Sequence, residues 1–167
     1  NQYQEYELLD DKKCVAPDPN QNERCQIIGR LRTIAVSNGG KHILIGKSNG
    51  MVVHITVSTG RRLEFLGHQS SLLDSNGDPV QINNAINSVA MSPNGRYALS
   101  GSSDETAYLW DTKTGQVIHK FRHGARVVTV ALDNKARYAF TSDSGGQSTI
   151  WDLKSGKPLS NLKFFNR

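Results

Sequence analysis

A segment of this chain repeats itself about 41 residues further on, and this repeat constrains the fold more than any other feature of the sequence. Residues 92–101, SPNGRYALSG, align without a gap with residues 133–142, DNKARYAFTS. At the same offset, residues 108–115 align with residues 149–156, so that Trp110-Asp111 corresponds to Trp151-Asp152. A period near 40 residues indicates a modular fold in which each repeat is one supersecondary unit.

A third and more divergent copy lies upstream. Ser37-Asn38-Gly39-Gly40 aligns with Ser92-Pro93-Asn94-Gly95, and His68 aligns with His123 at the same offset of about 55 residues. Because this offset is longer than the first one, an insertion at residues 69–84 separates the first two copies. The three repeats therefore cover about residues 31–68, 85–123 and 125–164.

Each copy predicts four short β-strands. In the middle copy, apolar residues alternate through residues 89–91, 97–99, 108–110 and 117–121, and Gly, Asn, Asp and Ser occupy the gaps. Signals for helices are weak throughout. Four strands in a unit of about 40 residues are typical of a β-propeller blade.

The sequence resembles the WD-repeat (Trp-Asp repeat) family, and its two better repeats are similar to small bacterial members. The landmarks, in the family's order, are Gly67-His68, Ser92-Pro93-Asn94-Gly95, Ser100-Gly101-Ser102-Ser103-Asp104 and Leu109-Trp110-Asp111. The resemblance covers residues 31–164 and implies an all-β propeller of four-stranded antiparallel blades, with three to four blades in this chain. Since closed propellers have about 4–8 blades, we expect an incomplete ring.

Residues 1–30 form an N-terminal leader ahead of the propeller segment at residues 31–167, with strand-like pieces at residues 6–9 and 26–31. Three accounts of the incomplete ring stay open. The leader completes a fourth blade, the chain is a fragment of a longer protein, or the ring closes by self-association.

The resemblance also implies a hydrogen-bonded tetrad in the middle blade, formed by His68, Ser100, Asp104 and Trp110. Its chemistry is sensible because a buried indole N–H needs an acceptor, and a buried carboxylate needs a donor. In the third repeat His123, Thr141 and Trp151 match, Gly145 replaces the aspartate, and Asp143 or Ser144 is the nearby substitute. The first repeat has Ile45, Asn49 and Ile55 at these positions, so we expect its blade to be held by apolar packing alone.

Members of the family that this chain resembles are mostly rigid platforms that bind other proteins, so we expect a non-enzymatic interaction scaffold. The candidate partner-binding face gathers loops at one end of the blades: Lys47, Asn49, Leu72, Leu73, Val80, Ile82, Glu105, Arg122, Arg126 and Gln147. The four apolar residues of the insertion either dock a partner or cover the propeller rim. The alternatives are a ligand-binding or catalytic propeller with a site in its central channel, and a bacterial envelope lipoprotein with a WD-repeat domain.

Several sequence features bear on other function classes. The formal charge of +5 comes from scattered Lys and Arg residues, which does not favour a specific nucleic-acid site. No apolar run reaches the ~18–20 residues of a membrane-spanning helix. Cys14 and Cys25 flank a turn-rich stretch and are either a disulfide or two free thiols. An oxidised pair favours a periplasmic or envelope location, and free thiols favour a cytoplasmic one.

Two motif-like segments are poor matches to the sites that they suggest. Residues 40–48 have the wrong glycine spacing for a phosphate-binding loop and are predicted to be a strand. Residues 74–78 carry alternate oxygen ligands, but Pro79 stands where a calcium loop needs Gly. His42, His54 and His119 show no metal-ligand spacing, although the first two lie on neighbouring predicted strands and face each other. We therefore expect no cofactor and no metal.

Overall fold

The structure, a computed structural model, describes residues 29–68 and 84–163. These residues form three four-stranded antiparallel sheets and one short 3-10 turn at Asn38–Gly40. The strands are β1 (Leu31–Val36), β2 (His42–Lys47), β3 (Val52–Thr56), β4 (Arg61–Phe65), β5 (Ile86–Met91), β6 (Tyr97–Ser102), β7 (Thr106–Asp111), β8 (Val117–Arg122), β9 (Val127–Leu132), β10 (Tyr138–Asp143), β11 (Gln147–Asp152) and β12 (Pro158–Lys163).

Each sheet is a meander in which strands adjacent in sequence are adjacent in space. Blade 1 is β1–β4, blade 2 is β5–β8 and blade 3 is β9–β12. The pairing registers repeat from blade to blade, because Trp110 lies opposite Ala98 in blade 2 as Trp151 lies opposite Ala139 in blade 3. The expected all-β fold of antiparallel four-stranded blades is confirmed.

Blade 2 lies between the other two and packs through both of its faces. This follows from the strand period, because successive side chains point to opposite faces of a sheet. Tyr108 and Trp110 belong to the core shared with Leu44, Val52 and Phe65 of blade 1. A second core joins blades 2 and 3 and contains Leu99, Ala107, Leu109, Phe121, Val127, Val130, Ala139 and Leu153.

Glycine allows the innermost strands of neighbouring blades to approach closely. A Cβ atom on Gly46 would lie 2.4 Å from a methyl carbon of Ile86, and one on Gly101 would lie 2.6 Å from a methyl carbon of Val127. These two glycines occupy the same position in β2 and β6. The sequence therefore encodes the same close blade contact twice.

The far side of blade 1 carries exposed apolar side chains. Leu31 and Ile34 are 53% and 55% exposed, respectively. Ile34 lies opposite Ile45 just as Val89 lies opposite Ser100, so it occupies the position that blade 2 buries against blade 1.

Parts of the sequence-based interpretation lie outside the described residues. The leader up to residue 28, with Cys14 and Cys25, and the insertion at residues 69–83 belong to this group. The three accounts of the incomplete ring and the state of the two cysteines stay predictions. Within the described ranges, no helix has the length and apolar character needed to cross a membrane.

Candidate functional site

The four tetrad residues of blade 2 form one continuous chain of hydrogen bonds. The Trp110 indole N–H donates to Ser100 Oγ at 2.8 Å. Ser100 Oγ lies 2.8 Å from His68 Nε2, and His68 Nδ1 lies 2.9 Å from Asp104 Oδ2. His68, Ser100 and Trp110 are buried, so each of these polar groups depends on its partner in the network.

The hydrogen-bond pattern assigns the proton positions. Ser100 accepts from the indole and donates its O–H to His68 Nε2, and His68 donates its Nδ1–H to the Asp104 carboxylate. Burial alone raises the pKa of the Asp104 carboxyl, but the hydrogen bond and charge of His68 and the hydrogen bonds of Thr106 hold the pKa below its ordinary value. Asp104 is thus an acceptor at neutral pH, as the network requires.

Two further residues, which sequence reasoning missed, fix this network in place. Thr106 Oγ1 donates to Asp104 Oδ1 at 2.6 Å and lies 3.2 Å from His68 Nδ1. Asn84, at the end of the insertion, donates its amide to the His68 carbonyl at 2.8 Å. Ser102 in turn donates to the Asn84 carbonyl. The two ends of the insertion are therefore tied to blade 2.

Blade 3 has the same network with a different carboxylate. Trp151 donates to Thr141 Oγ1 at 2.7 Å, and Thr141 Oγ1 lies 2.8 Å from His123 Nε2. His123 Nδ1 lies 3.1 Å from Asp143 Oδ2, and the other oxygen of Asp143 accepts the backbone N–H groups of Gly145 and Gln147. Of the two candidates, Asp143 is therefore the residue that takes the place of the missing aspartate.

Blade 1 has no tetrad but contains a buried polar pair. His54 Nε2 lies 3.2 Å from His42 Nδ1, and the two rings stack at 5.2 Å between centroids. The His54 ring also stacks on Phe65, which stacks on Trp110 of blade 2. The expectation that apolar packing alone holds this blade is wrong, because its sheet uses an imidazole pair where its neighbours use apolar or aromatic groups.

The Ser, His and Asp of blade 2 are arranged as structural groups. Ser100 has no exposed surface, and its oxygen is engaged by both Trp110 and His68. A nucleophilic serine needs an accessible oxygen beside an oxyanion hole. The geometry of this triad therefore fits the locking of strands and does not fit hydrolysis.

Six of the ten predicted face residues lie in the described ranges and at the same end of the blades. They are Lys47, Asn49, Glu105, Arg122, Arg126 and Gln147, and we call this set the loop face. Backbone hydrogen bonds connect its turns to its inter-blade loops, since the His123 N–H donates to the Glu105 carbonyl and the Ser144 N–H donates to the Arg126 carbonyl. Leu72, Leu73, Val80 and Ile82 lie outside the described residues.

The charges on the loop face are of both signs, and its side chains differ in exposure. Glu105, Arg122 and Arg126 are exposed, whereas Lys47 and Gln147 are half-buried. Burial, followed by the charge of Arg62, lowers the pKa of Lys47, and the Glu64 carboxylate opposes this effect. An exposed surface with mixed charges can pair with a partner of complementary charge pattern.

Glu105 has a backbone conformation that is unusual for its residue type. Its φ angle is 65°, in the left-handed region, and the corresponding turns of blades 1 and 3 place Gly50 and Gly146 there with φ angles of 79° and 81°. Any residue with a Cβ is strained in this region, by roughly 1–2 kcal/mol. The internal alignment of the repeats contained this signal, because it pairs Glu105 with two glycines.

Three comparisons with known proteins agree on the repeat type. The family model described as "WD domain, G-beta repeat" matches residues 77–111. Over 95 residues the chain is 25% identical to "U3 snoRNP-associated protein-like YAO" of Arabidopsis thaliana, which covers 53% of this chain and 19% of that protein. Over 121 residues it is 26% identical to "U3 snoRNP-associated protein-like YAOH" of Oryza sativa subsp. japonica, which covers 69% and 23%.

Solved structures share the fold at low sequence identity. The structure titled "Structure of U3-55K" matches with a TM-score of 0.67 and 16% identity, over 82% of this chain and 40% of that one. "Crystal structure of RRP9 WD40 repeats" matches with a TM-score of 0.66 and 15% identity, over 82% and 39%. The chain thus spans about a fifth of the length of the curated relatives and about two fifths of these structures.

Proposed function

We propose that this chain, a WD-repeat protein whose repeats fold as β-propeller blades, is a non-enzymatic scaffold whose loop face binds other proteins. The observation that carries the proposal is the strained turn at Glu105. Backbone strain persists where the surrounding structure enforces it and is concentrated at functional sites. A glycine, as in the two sister turns, would remove the strain and also the exposed carboxylate.

The surroundings of Glu105 support the same proposal. Arg122 and Arg126 belong to the loop whose residue His123 is hydrogen-bonded to the Glu105 backbone. The charged groups therefore stand on a short, backbone-tethered loop, and little conformational entropy is lost when a partner pairs with them. The tetrad beneath this loop holds it through His123, which anchors blade 3, and through Asp104 beside Glu105.

The relatives' names support a role in a multi-component assembly. Both plant relatives are named as U3 snoRNP-associated, and a ribonucleoprotein is built by several proteins around an RNA. For this chain we propose protein partners within a larger assembly, since a rigid propeller presents loops at both ends of its blades without changing shape. The scattered positive charge is consistent with weak attraction to the anionic components of such an assembly.

We also propose the insertion at residues 69–84 as a docking element. Its flanking residues His68 and Asn84 are hydrogen-bonded to each other, which supports a loop rooted at the end of the blades where Glu105 lies. The apolar residues Leu72, Leu73, Val80 and Ile82 provide the kind of surface that a partner buries.

A pull-down with quantitative mass spectrometry tests the proposal, using the tagged chain as bait. The variants are Glu105→Gly and Arg122→Glu with Arg126→Glu on the loop face, and a deletion of residues 70–83. The matched controls are Arg137→Glu and Lys154→Glu, which alter charge at the opposite end of the blades. We expect the same partners to be lost from the loop-face variants and retained by the controls. Partners retained by every loop-face variant, or lost equally from the controls, contradict the proposal.

Self-association is a further proposal about partners. The exposed Leu31 and Ile34 support it, because blade 2 buries the equivalent positions against a neighbouring blade. Sedimentation equilibrium of the chain tests it. A concentration-dependent dimer that Ile34→Glu dissociates supports the proposal, and a monomer at every concentration overturns it.

A further inference from the structure

A cleft of about 240 Å³ opens between blades 1 and 2, at the end of the blades opposite the loop face. Its walls come from the starts of β2 and β4 on one side and from the β5–β6 and β7–β8 turns of blade 2 on the other. The chemically active lining residues are His42, His54, Arg61, Asn94, Arg96 and Lys113. This cleft has no part in the proposed partner-binding face, and the inference below does not depend on that proposal.

The lining carries positive charge that the protein itself does not neutralise. Arg96 pairs with Asp111, whose other contacts are backbone N–H groups. Within the described ranges, neither the Arg61 guanidinium nor the Lys113 ammonium forms an ion pair, and no carboxylate lines the cleft. Two cations and two imidazoles therefore face a single small volume.

The histidine pair contributes unsatisfied polar atoms to the same volume. His54 is only 4% exposed, and its Nε2 is engaged with His42 Nδ1. In the part of the chain that the structure describes, neither His54 Nδ1 nor His42 Nε2 has a hydrogen-bond partner. A buried polar atom without a partner costs free energy, so the pair is placed where a ligand atom would satisfy it.

The equivalent cleft between blades 2 and 3 shows that the fold does not require these histidines. Its lining includes Tyr97 and Leu109 at the positions of His42 and His54, whereas Arg137 and Lys154 retain the positive charges. The two clefts therefore share a basic rim and differ in their floor. Only the first has hydrogen-bonding groups on the floor.

The protons of the pair explain what the floor can bind. Two neutral imidazoles carry two N–H protons, of which one lies in the bond between the rings and one on an outer nitrogen. One added proton makes both outer nitrogens donors. We propose that this cleft binds a phosphate group, a tetrahedral oxyanion, with uptake of one proton by the His42–His54 pair.

The electrostatics of the free protein agree with this coupling. Burial lowers the pKa of His54, and the nearby His42 and Arg61 lower it further. The charged groups facing the pair are Arg61 of β4 together with Arg96, Asp111 and Lys113 of blade 2, so the balance is positive. An anion between these groups reverses the sign of the local field and favours the protonated pair.

Nuclear magnetic resonance of the imidazole Cε1–H groups tests the proposal in the full chain. At pH 6 and constant ionic strength, chloride is exchanged for inorganic phosphate. We expect saturable shifts of the His42 and His54 signals, with the His119 signal as internal control. In sulfate, whose charge is constant over this range, the midpoint of the pair should rise by about one pH unit if the protonated form binds tenfold more tightly.

Two double variants separate a built site from general attraction. Arg61→Gln with Lys113→Gln changes only exposed side chains and should weaken phosphate binding at least tenfold. Arg137→Gln with Lys154→Gln makes the matching change in the sister cleft and should bind as the wild type does. Histidine signals that do not shift, or that shift equally in both variants, overturn the proposal.

The source of the phosphate group is read from a second titration. N-acetyl-phosphoserine amide replaces inorganic phosphate under the same conditions. Tighter binding of the ester identifies a phosphorylated side chain as the ligand, and tighter binding of the inorganic ion identifies free phosphate. Either result supports the site, and binding of neither overturns it.

Discussion

Replacing Trp110 by Phe removes a hydrogen bond and part of a buried ring from the interface between blades 1 and 2. The indole N–H loses its 2.8 Å bond to Ser100, which is about 1 kcal/mol. The indole is 1% exposed and stacks on Phe65 at 5.1 Å, so the smaller ring leaves a void that costs about 1–2 kcal/mol more. We expect a loss of about 2–3 kcal/mol in the free energy of unfolding.

Chemical denaturation monitored by circular dichroism measures this loss, and Trp151→Phe is the matched control. Trp151 makes the same hydrogen bond, at 2.7 Å to Thr141, but it is only half-buried because no described blade covers the far side of blade 3. Its replacement should cost about 1 kcal/mol, since the hydrogen bond is the main loss. Equal losses in the two variants, or a loss below that of Trp151→Phe, refute the account of Trp110 as both a hydrogen-bond donor and a packing group.

Three further predictions concern other parts of the fold. Glu105→Gly should stabilise the chain by about 1 kcal/mol in thermal unfolding, because glycine accepts the left-handed turn without strain. Burial and neighbouring positive charges depress the pKa of His54 below its model value of 6.5, so stability should be fully present above pH 6.5 and decline below it; His54→Leu, which copies Leu109 of blade 2, should flatten this decline in denaturant titrations. Gly46→Ala should cost about 1–3 kcal/mol by overpacking the blade contact, whereas Gly124→Ala, with open space around it, should be neutral in the same assay.

The blade architecture and the middle tetrad could be predicted because they depend on local signals. Strand alternation and turn residues recur at a fixed period, and each tetrad residue sits at a defined place in its strand or turn. The structure adds the partners that come from elsewhere in the chain, such as Asn84 binding the His68 carbonyl across the insertion. Such a contact has no sequence pattern, because it depends on where two distant backbone segments meet.

The carboxylate of blade 3 shows where alignment reaches its limit. The repeat alignment pairs Asp104 with Gly145, but the side chain that reaches His123 belongs to Asp143, two residues earlier. The position changes because a carboxylate at the end of β10 can bind His123 and also accept the backbone N–H groups of the following turn. Sequence left two candidates, and only the turn geometry distinguishes them.

The histidine pair of blade 1 illustrates the opposite case. That His42 and His54 face each other follows from adjacent strands, and the structure brings their ring nitrogens to 3.2 Å. Their surroundings could not be derived in this way, because the cations Arg61 and Lys113 come from a different strand and a different blade. Sequence therefore identifies the pair, whereas the charged cleft emerges only when the blades pack.

Hydrogen–deuterium exchange of the chain alone and in complex with a partner recovered in the pull-down tests the central claim most directly. The claim is that partners bind at the loop face. It predicts that binding slows exchange in the turns at residues 48–51, 103–105, 123–126 and 144–146 and leaves the turns at residues 93–96, 112–116 and 153–157 unchanged. Protection confined to the second group would contradict the claim, because it would place the partner at the opposite end of the blades.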